Sequence, residues 1–273
     1  MTASYGRGWR GWKRRRFLRR HPPPPALDAH IGRVPILGGF APFERKRLAA
    51  LAWLWLHEKQ LTPHQGLRLA PDERFHLALL AALPILGLDP DWYAGYREVI
   101  LYPGRFRTPR RYFDGAGVSH PDGRVFSGEA WHYGPLVLAW EAVVAAGFGT
   151  GHNVVIHECA HQLDMRNGQA NGFPPLSAGI DIKEWSGEWM SAWWAFHATP
   201  HAWPGIDSYG ASAPAEFFSV LCELFFEAPD RVIDAWPGVY MLFTRFFRQD
   251  PLARFNAGPW RPGADEPGPG HAV

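Results

Sequence analysis

The chain has 273 residues, of which 47% are hydrophobic and 20% charged, with a formal net charge of +2. This composition excludes global disorder, and the length is ample for a sizeable buried core. The longest strongly apolar stretch, residues 48–56, falls far short of the roughly 20 residues that span a bilayer, so no membrane span is expected. Two cysteines, Cys159 and Cys222, cannot build a disulfide framework and point to a reducing, cytoplasmic setting.

Residues 1–20 carry eight Lys and Arg and no acid, which leaves the remainder of the chain net acidic. Like-charge blocks of this kind are commonly solvated, and His21 with the prolines Pro22 to Pro25 extends the block into a stiff spacer. Residues 1–30 therefore read as a basic, proline-rich flexible arm, with order beginning near Ile31. The run Arg14-Arg15-Arg16-Phe17-Leu18-Arg19 has the look of a twin-arginine export signal. It is followed by prolines rather than an apolar segment, so export is not expected. Only charge and Trp9 and Trp12 point to nucleic acid as a partner of the arm, so none is expected.

Residues 42–60 and 72–83 follow as helices, with Glu44 in the first turn of one and Pro71 just ahead of the other. Between 89 and 144 the pattern changes to short runs separated by Gly and Pro. Residues 98–102 and 135–140 read as strands, and 125–132 supplies a further one. Helical periodicity returns over 154–166, 181–197, 215–227 and 239–248, with Asn167-Gly168 a suitable stop for the first. The body spans 31–250, and 251–273 reads as a Pro/Gly-rich tail that frays. The fold class is α+β, helix-dominated, with one small sheet and one core.

The chemistry concentrates in His157-Glu158-Cys159-Ala160-His161 on the 154–166 helix. Histidines at i and i+4 share a helix face and can hold one Zn²⁺, and the intervening Glu is placed as a general base. The third ligand is open between Glu184 or Glu188, in a thermolysin-like arrangement, and Glu216 in Pro214-Ala215-Glu216-Phe217-Phe218. Asp164 and Asn167 exclude the metzincin extension, which needs Gly and His at those positions. A carboxylate among Phe217, Phe218, Val220 and Leu221 is costly to bury unless paired, which favours Glu216. Asp164 and Glu223 are candidates to orient a ligand or tie down a loop. Cys159 and Cys222 read as buried structural thiols, and His152, His197 and His201 as ordinary surface or core residues.

Several stretches together resemble the Mlc titration factor A family of bacterial zinc peptidases. They are Leu83-Pro84-Ile85-Leu86, Val99-Ile100-Leu101-Tyr102-Pro103, Gly128-Glu129-Ala130-Trp131, Gly134 to Trp140, His157 to Gly168 and Pro214 to Phe226. In that family, and in the similar catalytic domain of anthrax lethal factor, a Tyr precedes the ligand Glu by seven residues, as Tyr209 precedes Glu216 here. The resemblance implies a single zincin-like domain over 31–250 with an HExxH active-site helix. It also implies one Zn²⁺ held by His157, His161 and Glu216, Glu158 as general base and Tyr209 as oxyanion donor. By the same resemblance the activity is aminopeptidase-like hydrolysis of short peptides, with a transcriptional repressor of the Mlc type as a further partner. The alternative is a non-catalytic binder that sequesters such a repressor. Residues 135–140 are expected to be the sheet edge that aligns an extended substrate.

Overall fold

The computed structural model describes residues 5–106, 111–113, 119–121, 128–130, 134–146 and 149–257. Contrary to the expected flexible arm, the basic block forms helix α1 (Gly8–Arg20) and lies on the body. Arg14 is the reason: its guanidinium turns inward, is 6% exposed, and donates to Glu58 (2.6 and 3.0 Å) and Asp91 (2.7 Å). Phe17 stacks on His57 at 3.7 Å, while the remaining cations stay in solvent, where their repulsion is screened. A Cβ on Gly11 would collide with the Gly6 carbonyl oxygen, so only glycine lets the leader cross α1 there.

The proline spacer is also folded. Pro25 opens α2 (Pro25–Ile31), where its fixed φ suits the first helical position and its missing N–H costs nothing. Leu27 and Ile31 of α2 are fully buried, so order begins well before Ile31. The same device starts α3 (Pro42–Glu58), where Glu44 reaches back to the Ala41 N–H at 2.8 Å. Strand β1 (Gln60–Pro63), unforeseen from the sequence, follows α3 directly, and α4 (Pro71–Ala82) comes next. Helices α3 and α4 pack through Leu48, Leu51 and Trp55 against Leu77, Leu80 and Ala81, all in one apolar core.

Strands β2 (Glu98–Tyr102), β3 (Arg111–Phe113), β4 (Ser119–Pro121), β5 (Gly128–Ala130) and β6 (Leu136–Ala139) complete the β content of the described residues. Three strands, β1, β2 and β6, are parallel, and β5 adds antiparallel to β6 in the order β1-β2-β6-β5. Strands β3 and β4 form a separate hairpin pair. The expected strand over 125–132 is β5 in its middle, and the rest of that range lies outside the described residues. Strand β6 is not the sheet edge: it is paired on both sides, by β2 and β5, as its unbroken burial requires.

After α5 (Trp140–Ala145) come α6 (Val154–Asp164), α7 (Ile182–Ala198), α8 (Pro214–Glu227), α9 (Pro229–Ala235), α10 (Pro237–Phe247) and α11 (Pro251–Ala257). Helix α8 lies against α6 and is buried on nearly every side. An aromatic cluster joins α7, α8 and α10: Trp189 lies 5.0 Å from Phe217, and Phe225 stacks on Phe247 at 5.4 Å. Helix α11 corrects the expectation of a fraying tail up to residue 257, while 258–273 lie outside the described residues. Arg254 pins it, donating to the carbonyls of Ile36 (2.8 Å) and Gly38 (2.7 Å) between the rings of Phe40 and Phe255. No helix among the described residues is long and apolar enough to cross a membrane.

Candidate metal centre

Helix α6 begins where Asn153 caps it, its Oδ1 accepting from the Ile156 N–H at 3.2 Å. One turn later His157 and His161 stand on the face toward α8, their rings 4.9 Å apart. Glu216, in the first turn of α8, brings Oε2 to 3.1 Å from His157 Nε2 and 3.3 Å from His161 Nε2. These three residues form a group able to hold a metal ion, with their ligand atoms within 4.8 Å of one another.

The donor chemistry fits a cation at that point. Glu223, two turns beyond Glu216, places Oε1 2.7 Å from His157 Nδ1, and a carboxylate there fixes the ring proton on Nδ1. In the neutral imidazole Nε2 then carries a lone pair directed at the Glu216 oxygen, a contact that becomes favourable with either a second ring proton or a metal cation at that point. Burial alone would lower the His157 pKa, but Glu223 and Glu216 outweigh it and raise it well above its ordinary value. Burial works against ionised Glu216 as well, yet its bonds to His157 and His161 hold the carboxyl far below the usual carboxylate range.

Glu158 is different. It is 4% exposed, its Oε2 has no hydrogen-bond partner, and burial pushes its pKa up to about 7 against the pull of His157 and His161. Strand β5 runs so close that a Cβ on Gly128 would collide with Glu158 Oε1, so this position requires glycine. Tyr209 sits on the 3₁₀ turn Ser208–Ser212 ahead of α8, half exposed, its ring 6.2 Å from that of His157. Glu184 and Glu188 stand apart from the centre: Glu184 pairs with Arg245 across α7 and α10, and Glu188 lies against Gly238.

Residues 9–248 match the family described as glucose-regulated metallo-peptidase M90. The chain belongs to this family. Curated relatives named Mlc titration factor A, from Yersinia pestis strain Pestoides F and Yersinia pseudotuberculosis serotype O:1b, are 40% identical over 238 residues, covering 82% of this chain and 84% of theirs. For an M90 metallo-peptidase the His157, His161 and Glu216 group is the metal-binding candidate among the described residues.

The centre opens into a cleft of about 770 Å³ lined by Gly128, Glu158, Tyr209, Arg105 and Glu141. His152, taken from the sequence as an ordinary surface or core residue, also lines this cleft, 3.8 Å from Asp207. Two further residues were not singled out in the sequence. Asn153 donates its backbone N–H to Glu223 at 2.5 Å and its Nδ2 to buried Glu227 at 2.8 Å, and Glu227 also accepts from the Gly149 N–H. The seven- and four-residue spacing of Glu216, Glu223 and Glu227 on one helix face was the available signal. Asp164 does not touch a ligand: fully buried, it accepts from the N–H groups of Asn171, Gly172 and Phe173 at 2.6–2.9 Å and ties down that loop. Cys159 and Cys222 are free and buried, and burial raises the Cys159 thiol to about 12, as suits structural thiols.

Proposed function

We propose that this chain is a zinc-dependent peptidase of zincin-like fold, cytoplasmic, acting on short peptides in an aminopeptidase-like manner. The observation that carries the reading is the convergence of His157 Nε2, His161 Nε2 and Glu216 Oε2 beside the buried carboxyl of Glu158, whose Oε2 has no hydrogen-bond partner. His157, His161 and Glu216 would hold the ion. When bound, zinc supplies Lewis acidity, which polarises a peptide carbonyl and makes a nucleophile available from water near neutral pH.

The protein's own groups do the rest. Glu158 accepts a proton from the attacking water and returns it to the leaving amine, a task suited to a group poised near the working pH. Tyr209 donates its hydroxyl to the carbonyl oxygen as negative charge develops there. Glu223 keeps the His157 ring in one orientation through Nδ1. An extended peptide would pair with β5, the last strand of the sheet order, which borders α6 at Glu158. Short peptides fit the volume of the cleft, and the aminopeptidase-like preference rests on the family resemblance. Two unpaired cysteines support a reducing compartment.

The name of the relatives favours a second role, binding of a transcriptional repressor of the Mlc type, in the extreme without catalysis. A pure binder has no use for a buried proton carrier at Glu158. The test is digestion of a short-peptide library by wild type and Glu158→Gln at equal zinc content. The peptidase reading expects cleavage by wild type and a loss of about 100-fold or more in the variant, the usual effect of removing a general base. No cleavage by zinc-loaded wild type would favour the sequestering role, and equal cleavage by both would remove Glu158 as the general base.

A further inference from the structure

The outer face of α1 takes no part in the metal centre and carries charge that the fold does not use. Apart from Arg14, the seven cations of residues 1–20 are exposed, and none is ion-paired among the described residues. Trp9 and Trp12 stand among them, 64% and 41% exposed, stacked on each other at 4.8 Å. Lys13 Nζ lies 5.2 Å from the Trp9 ring and the Arg16 guanidinium 5.5 Å from that of Trp12. Two rigid exposed indoles within a cationic field serve no packing purpose.

Beside them α1, α2 and α3 enclose a separate cleft of about 520 Å³. Leu18, Pro23, Ala49 and Ala50 give it apolar walls, and Arg15, Arg19 and Lys46 contribute three cations. Its one acid, Asp28, is already engaged by Arg45 at 3.5 Å. Phe43, 71% exposed, precedes Lys46 by three residues and Ala50 by seven, on the same face of α3.

We propose that this face is a peripheral docking surface for an anionic phospholipid bilayer. Trp9, Trp12 and Phe43 enter the interfacial layer, and Arg15, Arg19 and Lys46 take a lipid phosphate over the apolar cleft. Charge complementarity requires an anionic occupant. The combination of apolar walls beneath cations selects an amphiphile over a nucleic acid, which has phosphates but no apolar portion to place there. The indoles agree: each ring has one face covered by the other, which hinders base stacking, whereas indoles at a membrane interface need no free face.

The test is sedimentation of the full chain with vesicles of phosphatidylcholine alone or with about 30% phosphatidylglycerol. The proposal expects partition at least about tenfold stronger into the anionic vesicles, since each cation near the surface contributes several-fold, and its loss at about 0.5 M salt. Trp9→Ser with Trp12→Ser, and separately Arg15→Glu with Lys46→Glu, should each weaken partition about tenfold at unchanged helicity and zinc content. Phe43→Ser gives an independent check on a different helix. Inorganic phosphate should not compete. Failure to sediment with anionic vesicles at low salt, partition insensitive to all three variants, or tighter binding to a short DNA duplex than to vesicles would overturn it.

Discussion

Along one face of α8, Glu216, Glu223 and Glu227 meet three different partners: the two histidines, the outer nitrogen of one of them, and the cap of the helix that bears both. The differences in their surroundings set different chemistry for three identical side chains. Glu227, 1% exposed, is raised by burial to about 8 from an ordinary 4.5, although Asn153 and Gly149 donate to it. Between those two values the native chain holds a proton that the unfolded chain has released, so this residue makes stability fall as pH rises. Glu227→Gln keeps an acceptor toward Asn153 without the charge. The fall in melting temperature between about pH 5 and 8 should shrink in this variant, and an unchanged slope would exclude Glu227 as its source. Tyr209→Phe tests a different stage of the chemistry. It should bind zinc normally and lose turnover by roughly 100-fold, the size of a lost oxyanion donor, with metal analysis and peptide kinetics on the same sample as the check.

At the scale of elements, α1 is held by one residue whose importance the charge count conceals. Arg14 joins α1 to the end of α3 through Glu58 and to the 3₁₀ turn Pro90–Tyr93 through Asp91. Arg14→Ala would leave both carboxylates without their cation, and since each is about a third exposed the cost is moderated to about 2–3 kcal/mol. Urea denaturation measures it, and a variant as stable as wild type would return α1 to the status of a solvated leader. Proline carries a similar lesson. Read as spacer and tail, Pro25 and Pro251 suggested disorder, yet each opens a helix with buried residues, as do Pro42, Pro71, Pro214, Pro229 and Pro237. A proline at the first helical position and a proline that ends a helix are the same letter, and only the packing of the residues C-terminal to it separates them.

For the whole molecule, legibility in the sequence tracked how local the signal was. The helices over 42–58, 71–82, 154–164, 182–198, 214–227 and 237–247 were read to within about three residues, because apolar periodicity is local. Strand β1 was missed because four residues show too little alternation, and β6 was misplaced to the edge because pairing order is not local. In the centre, His157 and His161 follow from a fixed spacing on one helix. The approach of Glu216 across 55 residues of chain was reached through the cost of burying an unpaired carboxylate, while Glu227 offered only its spacing on α8 and Asn153 no local signal, because each has its partner in another element. The central claim is that this group, drawn from two helices far apart in sequence, is a metal site. Zinc stoichiometry after dialysis against metal-buffered solution measures that directly, for wild type, Glu216→Ala and Glu184→Ala. Wild type and Glu184→Ala should each hold about one zinc per chain, and Glu216→Ala should lose it sharply. Retention of zinc by Glu216→Ala with its loss from Glu184→Ala would contradict that claim.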